Sequence, residues 1–206
     1  VVNTNGYKRI NSIEIMKLSD DGSGVVGNKV KEECDCLGIS GGWTPRVHMY
    51  TQSGGKLKFR DKDNVFLPDT STSEQINIGS CNGDFELDDV LKNSNLSVKE
   101  FLNINNSDYE NLEINCSKET DKRNIWLLPS DKPLGKTKPF LDFQNDSTAK
   151  DVKLALREGF KSIEHVKRYT TTGMGTDQGK LSNMHALGII AETAGVKMGE
   201  LGTTTF

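Results

Sequence analysis

Residues 167–183 read KRYTTTGMGTDQGKLSN, and the rest of the chain is organised around this run. Lys167 and Arg168 bring positive charge, and Thr170, Thr171 and Thr172 bring hydroxyl donors. Gly173 and Gly175 permit backbone conformations in which successive N–H groups point at one anion. A helix starting just downstream would add its positive end. The run therefore fits a phosphate or cofactor-phosphate cradle between two helices. Its composition equally fits an ordinary Gly-containing helix–helix turn with solvated Lys and Arg.

The bulk properties narrow the choice of class. The chain has 206 residues, enough for one large or two small domains with cores of their own. A hydrophobic content of 34% and a mean hydropathy of -0.55 describe a polar protein. With a net charge of -3 and acids and bases well mixed, a dedicated nucleic-acid binder is not expected. No apolar run approaches the ~20 residues of a membrane span and no signal peptide is read, so a cytoplasmic location without membrane association is expected. Cys34, Cys36, Cys81 and Cys116 fit no metal spacing and read as free thiols. His48, His165 and His185 are scattered and read as surface or satisfied core residues. The Val1-Val2 start and the Thr-rich run to Phe206 read as part of a longer polypeptide.

Upstream, INSIEIMKL (10–18) followed by DDGSG predicts a strand entering a hairpin. VKEECDCLGIS (30–40) predicts a second strand, with Cys34 and Cys36 on one face, ending at Gly41 and Gly42. Glycines at a strand end either turn the chain or let the backbone approach a ligand. Thr44 as N-cap and Pro45 at the first helical position predict a short helix closed by Gly54. KLKFRDKDNVFLPD (56–69) predicts two strands around a charged turn. INIGSCNGDFELDDVL (76–91) predicts strand, turn and helix, and Gly79, Ser80, Asn82 and Gly83 would place N–H groups at a helix N-terminus. The G-x-G-x-x-G fingerprint that opens a dinucleotide-binding domain is not read anywhere in the chain, so these residues alone are not expected to build a complete nucleotide site. Residues 93–136 read as a connector, with a helix at SVKEFLNIN, a strand at NIWLLP, Trp126 as packing and a boundary-like turn at SDKPLGK.

The last part is helical. Ser147 or Thr148 caps a helix through Glu158, with Asp151 on the N3 side, Gly159 past the end, and Val152, Ala155 and Leu156 facing inward. SIEHVKRY (162–169) buries Ile163 and Val166. A third helix from about Gln178 to Ala194 carries an apolar stripe of Leu181, Met184, Leu187, Gly188 and Ala191 before Gly195.

KPFLDFQNDSTAKDVKLALREGFKSIEHVKRYTTTGMGTDQGKLSNMHALGIIAE (138–192) resembles the alpha subunits of heterotetrameric sarcosine oxidases, in the region before their aminomethyltransferase-like half. CDCLGISGGWTPRVHMYTQSGGKLKF (34–59) resembles the closing part of the same subunits' dinucleotide-binding domain, and the final GTTTF the lead into their next domain. The resemblance is weakest over 93–136. It implies an α+β or α/β chain. Residues 1–92 would close a partial dinucleotide-binding domain of the pyridine nucleotide-disulfide reductase type, 93–136 would connect, and 137–206 would form a small helical domain. In related reductases the strand–turn–helix equivalent to 76–91 closes over the dinucleotide, which puts Gly79, Ser80, Asn82 and Gly83 near NAD, as well as Gly41 and Gly42.

The helical part is also similar to the two-iron, two-sulfur domain of bacterioferritin-associated ferredoxin. There four thiolates hold the cluster. The corresponding positions here are Asp142, Gln144, Asp177 and Ser182, which implies no iron–sulfur cluster. In sarcosine oxidases this unit helps enclose an FMN shared with the beta subunit. Lys167, Arg168, Thr170, Thr171 and Thr172 would then bind the flavin phosphate, and Gln178 and Lys180 would face the ring or the partner. The implied function is that of one piece of an enzyme with beta, gamma and delta subunits. The enzyme demethylates sarcosine oxidatively to glycine, passing electrons to oxygen and the one-carbon unit to tetrahydrofolate, and no catalytic residue is expected in this piece. The other readings are the alpha subunit of a related amine, proline or opine dehydrogenase, and a non-catalytic interaction module.

Overall fold

The computed structural model describes residues 1–71, 73–104 and 124–203. In chain order the strands are β1 (Asn3–Gly6), β2 (Ile10–Leu18), β3 (Val25–Glu33), β4 (Leu57–Arg60), β5 (Val65–Pro68), β6 (Phe140–Asp142) and β7 (Ser147–Thr148). The helices are α1 (His48–Gln52), α2 (Leu87–Phe101), α3 (Ala149–Arg157), α4 (Ile163–Thr170), α5 (Asn183–Ala194) and α6 (Met198–Leu201). Short 3-10 turns occur at Gly79–Asn82 and Leu134–Lys136. Contacts group the chain into Val1–Gly42 with Ile125–Lys197, and Trp43–Asn124 with Met198–Phe206. This grouping is discontinuous, whereas the sequence was read as consecutive segments 1–92, 93–136 and 137–206. Cys116 and the tail of GTTTF lie outside the described residues.

In the first unit β1, β2 and β3 form an antiparallel meander. Lys29 of β3 holds Glu14 of β2 at 3.2 Å and Asp131 at 2.7 Å. The spacing G-x-G-x-x-G does occur, at residues 22–27, and the sequence reading passed over it. It closes the β2–β3 hairpin, where Asp21 accepts from the Ser23 N–H and Ser19 Oγ accepts from the Gly24 N–H. It opens no helix and so carries none of the dinucleotide mechanics. The strand expected over 30–40 ends at Glu33. Beyond one bond, from the Cys34 N–H to the Asn11 carbonyl, residues 34–42 have no assigned strand partner, and Cys34 and Cys36 stand outside the sheet.

The helical part of this unit follows its sequence signals closely. Thr148 caps α3 through a reciprocal capping box with Asp151, and Gly159 follows at φ 98. Val152 and Ala155 of α3 pack with Ile163 and Val166 of α4 and with Leu187, Ile190 and Ala191 of α5 in one core. The third helix starts at Asn183, five residues later than expected. Gln178 and Gly179 adopt positive φ there, and the Asp177 carboxylate takes the N–H groups that a first helical turn would leave open. Leu181 is consequently exposed and outside the stripe. NIWLLP forms no strand. Its Trp126 lies against Gly188, where a Cβ would sit 2.1 Å from indole Cδ2.

In the second unit the expected β4–β5 hairpin forms, with Phe59 and Phe66 rings 5.0 Å apart. Val47, Tyr50, Val65, Phe66, Leu67 and Met198 make its core. The short helix begins at His48, so Thr44 and Pro45 precede it and do not cap it. Residues 76–78 form no strand. α2 runs unbroken through the expected boundary at residue 93, with Asp88 and Asp89 in its first turn and Lys99 in its last, a charge order that suits the helix dipole.

Gly188→Ala should displace the Trp126 indole. Overpacking of this kind costs about 1–3 kcal/mol, only partly offset by the ~1 kcal/mol gain of Ala over Gly in a helix. A lower melting temperature with a red-shifted Trp126 emission, read in a Trp43→Phe background, is the expected result. An unchanged emission would show that the indole does not rest on this glycine.

Candidate functional site

The run 167–183 leaves α4, turns, and enters α5. Its exit is a left-handed Thr171 at φ 58, an unfavourable conformation for a β-branched residue. The Thr171 Oγ1 bonds its neighbour's carbonyl, that of Thr170, and Asn145 Nδ2 donates to the Thr171 carbonyl at 3.1 Å. Thr170 and Thr172 are buried, at 9% and 3% exposure. Their hydroxyls bond each other at 2.9 Å, and Thr170 Oγ1 also reaches the Val166 carbonyl. These two hydroxyls thus face the protein. Of the other expected cradle groups, Arg168, Thr171, Gln178 and Lys180 are exposed and Lys167 is half-buried. Arg168 pairs loosely with Glu164 one turn back, at 3.8 Å, a contact that water and salt screen.

A second loop, the β6–β7 turn, is tied to this one by side chains. Asp142, only 4% exposed, accepts from the Gln144 and Asn145 N–H groups of its own turn. It also accepts from the Gly173 N–H across the gap at 2.8 Å. Burial pushes its pKa up, but the N–H donors of Gly173, Asn145 and Gln144 outweigh that, and the carboxyl titrates below its ordinary 3.8. Gln144 Oε1 accepts from both the N–H and the hydroxyl of Thr176, at 2.6 and 2.7 Å. Asp177 takes the Gly179 and Leu181 N–H groups, both at 3.2 Å. The amides in between, Met174, Gln178, Lys180 and Ser182, bond to backbone carbonyls. Ser147, buried beside them, donates to the Thr170 carbonyl.

The three glycines of the motif acquire a specific role in this arrangement. A Cβ on Gly175 would lie 2.5 Å from Gln144 Oε1. On Gly173 or Gly179 it would lie 2.2 Å from Asn183 Oδ1. The glycines therefore admit the amide side chains of the protein itself. Of the four positions that the ferredoxin resemblance singled out, Asp142, Gln144 and Asp177 are hydrogen-bonding side chains of one loop pair. The fourth, Ser182, is fully buried, with no hydrogen-bond partner for its Oγ among the described residues.

The expected dinucleotide residues are distributed otherwise. Gly79, Ser80, Asn82 and Gly83 form a 3-10 turn in the second unit, held to β4 by a bond from Arg60 Nη2 to the Gly83 carbonyl at 2.9 Å. Gly83 has φ 84, and a Cβ there would meet Arg60. Gly41 and Gly42 belong to the first unit. A Cβ on Gly41 would stand 3.7 Å from His185 Cε1 and Nε2. His185 was read only as a surface or core residue. It is edge-on to Trp126, with ring centroids 6.1 Å apart. Burial lowers its pKa below 6.5, against an opposing hydrogen bond with the Leu181 backbone. Its signal in the sequence was faint, a single His on an otherwise apolar helix. Asn145 and Ser147 were also missed as loop-tying groups, although D-x-Q-N after a short strand is turn chemistry.

Comparison with known proteins adds to this geometry. A family profile described as the sarcosine oxidase A3 domain matches residues 136–206. The chain is 31% identical over 96% of its length to the sarcosine oxidase subunit alpha of Corynebacterium sp. (strain P-1). It is 32% identical over its whole length to that of Rhizobium meliloti (strain 1021). It spans about a fifth of these relatives, 21% and 20% respectively. Among solved structures, L-proline dehydrogenase from P. horikoshii is similar with a TM-score of 0.57 at 18% identity, over 98% of this chain and 40% of that one. At that identity the likeness shows the fold alone, a mixed chain of helices and small antiparallel sheets.

Two outcomes test the site's construction. Asp142→Ala leaves the Gly173 N–H without its acceptor and should cost about 2 kcal/mol or more in a denaturant melt, with Asp142→Asn losing less. His185 has a folded pKa below its unfolded value, so its contribution is complete above about pH 6.5 and is lost as pH falls from there through the lower folded pKa. The gap in melting temperature between neutral and mildly acidic buffer should therefore narrow in His185→Gln. An equal gap in both proteins would show that His185 is not buried neutral.

Proposed function

The chain belongs to the sarcosine oxidase alpha subunits, and on that premise we propose that it contributes to a flavoenzyme which oxidatively demethylates sarcosine to glycine. The observation that carries this is 31–32% identity over essentially the whole chain to two such subunits. In this reading electrons pass to oxygen and the one-carbon unit to tetrahydrofolate, in a complex with beta, gamma and delta subunits. The oxidation in this reading takes place outside these residues, which supply binding and not catalysis. Residues 1–92 would close the dinucleotide-binding domain, 93–136 would connect, and 137–206 would be the helical domain.

FMN supplies the one-electron and two-electron chemistry in such an enzyme, and this chain supplies binding. The exposed or half-buried groups fit that task in charge. Lys167, Arg168 and Lys180 would neutralise the flavin phosphate, Thr171 could donate to it, and Gln178 could face the ring or the beta subunit. Thr170 and Thr172 are bonded inward, so their part in this reading is to hold the turn that presents the others. Gly79, Ser80, Asn82 and Gly83 in the second unit, and separately Gly41 and Gly42 in the first, remain the candidates for backbone contacts with NAD. A cytoplasmic enzyme is part of the proposal. Among the described residues, no helix is long and apolar enough to cross a membrane.

The fold likeness to a proline dehydrogenase supports a second reading, an alpha subunit acting on another secondary amine. Both readings meet one experiment. The full-length subunit is co-purified with its neighbours, and its visible spectrum is taken before and after anaerobic addition of sarcosine or proline. Bleaching of a flavin band by sarcosine is the expected outcome, with at least a several-fold loss of FMN in Lys167→Ala/Arg168→Ala. Bleaching by proline alone would select the second reading. A preparation without flavin would end both.

A further inference from the structure

Glycine-rich runs beside a helix start commonly bind anions because their N–H groups lack partners. Here the curvature is present, with Gly173 at φ 74 and Gly179 at φ 75, but four of the donors are taken by side chains. Gly173 N–H goes to Asp142, Thr176 N–H to Gln144, and Gly179 and Leu181 N–H to Asp177. On the side where a Cβ would stand, Gly173 and Gly179 are covered by Asn183 and Gly175 by Gln144.

We propose that Asp142, Gln144 and Asp177 are positioning residues that act as built-in acceptors, closing the Gly173, Thr176, Gly179 and Leu181 N–H groups to anions and leaving phosphoryl recognition there to cationic side chains. The first half stands on the hydrogen bonds alone. The second rests on the flavin-phosphate reading given above. The physical reason is twofold. A phosphate reaching the Gly173 or Gly179 N–H must displace a charge-assisted bond already formed inside the protein. It must also approach one of two carboxylates of its own sign at short range, where the repulsion is only partly screened. The loop is thereby shaped without any ligand, so that binding need not order it. Lys167, Arg168 and Lys180 project charge without using the backbone, and the ligand class they suit is a phosphomonoester such as the end of a flavin mononucleotide.

The test uses the full 206-residue chain without cofactor, followed by amide hydrogen exchange and by backbone NMR shifts during titration with inorganic phosphate. In the wild type the Gly173, Thr176, Gly179 and Leu181 amides should exchange slowly and stay unshifted by phosphate. In Asp177→Ala the Gly179 and Leu181 amides should exchange at least tenfold faster and move on phosphate addition. If that variant fails to fold, Gln144→Ala reports the same at Thr176. Rapid exchange at these amides in the wild type, or phosphate shifts at Gly173, Gly179 or Leu181, would overturn the proposal. Loss or retention of FMN by the complex bears on the cofactor reading alone, so the two fail separately.

Discussion

The bond from the Gly173 N–H to Asp142 is the contact on which the helical unit depends. It joins a hairpin turn before α3 to the turn after α4, and so fixes where the chain enters α5. The Asn145 bond to Thr171 and the Gln144 bonds to Thr176 flank it on the same pair of loops. A buried carboxylate is costly unless it is fully bonded. Asp142 meets that condition with backbone donors from both loops, which couples its ionisation to the relative placement of the two. The strained Thr171 is tolerated for the same reason, since the surrounding bonds determine the conformation of the turn more strongly than local preference does.

This organisation gives a physical account of how hydrogen bonds alone can tie two loops together. Four thiolates on a cluster would cross-link the two loops through covalent bonds. Acceptors on one loop and N–H donors on the other make the same link through several weaker contacts. Such a link needs close backbone approach, and the glycines at 173, 175 and 179 provide it by making room for Gln144 and Asn183. Ser182, at the start of α5, is the one position of the four whose hydroxyl finds no partner among the described residues. It contributes a small buried side chain in place of a bond.

How much of this could be read from the sequence differs by element, and the differences follow from range. The α3 cap at Thr148 and Asp151, the stop at Gly159 and the β4–β5 hairpin are encoded within a few residues, and all three were legible. The strand expected over 30–40 was realised only as far as Glu33, because a strand exists only through its neighbours, and periodicity says nothing about whether a neighbour is present. The start of α5 was misplaced because residues 178–182 look helical in composition, while the Asp177 carboxylate, by bonding forward to 179 and 181, favours a turn there. α1 began later than its Thr-Pro signal, and α2 ran through a boundary drawn on composition alone, where Asn and Ser are tolerated inside a helix.

The glycine motif is the sharpest case, because the sequence identified the residues and left their partner open. A glycine reports only that something approaches the backbone closely. It does not say whether that is a phosphate oxygen or an amide of the same chain. Deciding between them requires the long-range partner, here Gln144 and Asp142, some thirty residues upstream by the count of the bonds that join them to Thr176 and Gly173. The charge pattern held a clue. A backbone built to receive a phosphate is not usually given acidic side chains able to reach it, and the run DFQND with a further Asp at 177 supplies such side chains. Cations and carboxylates together in one motif fit a division of labour, in which the acids shape the loop and the bases remain for whatever binds it.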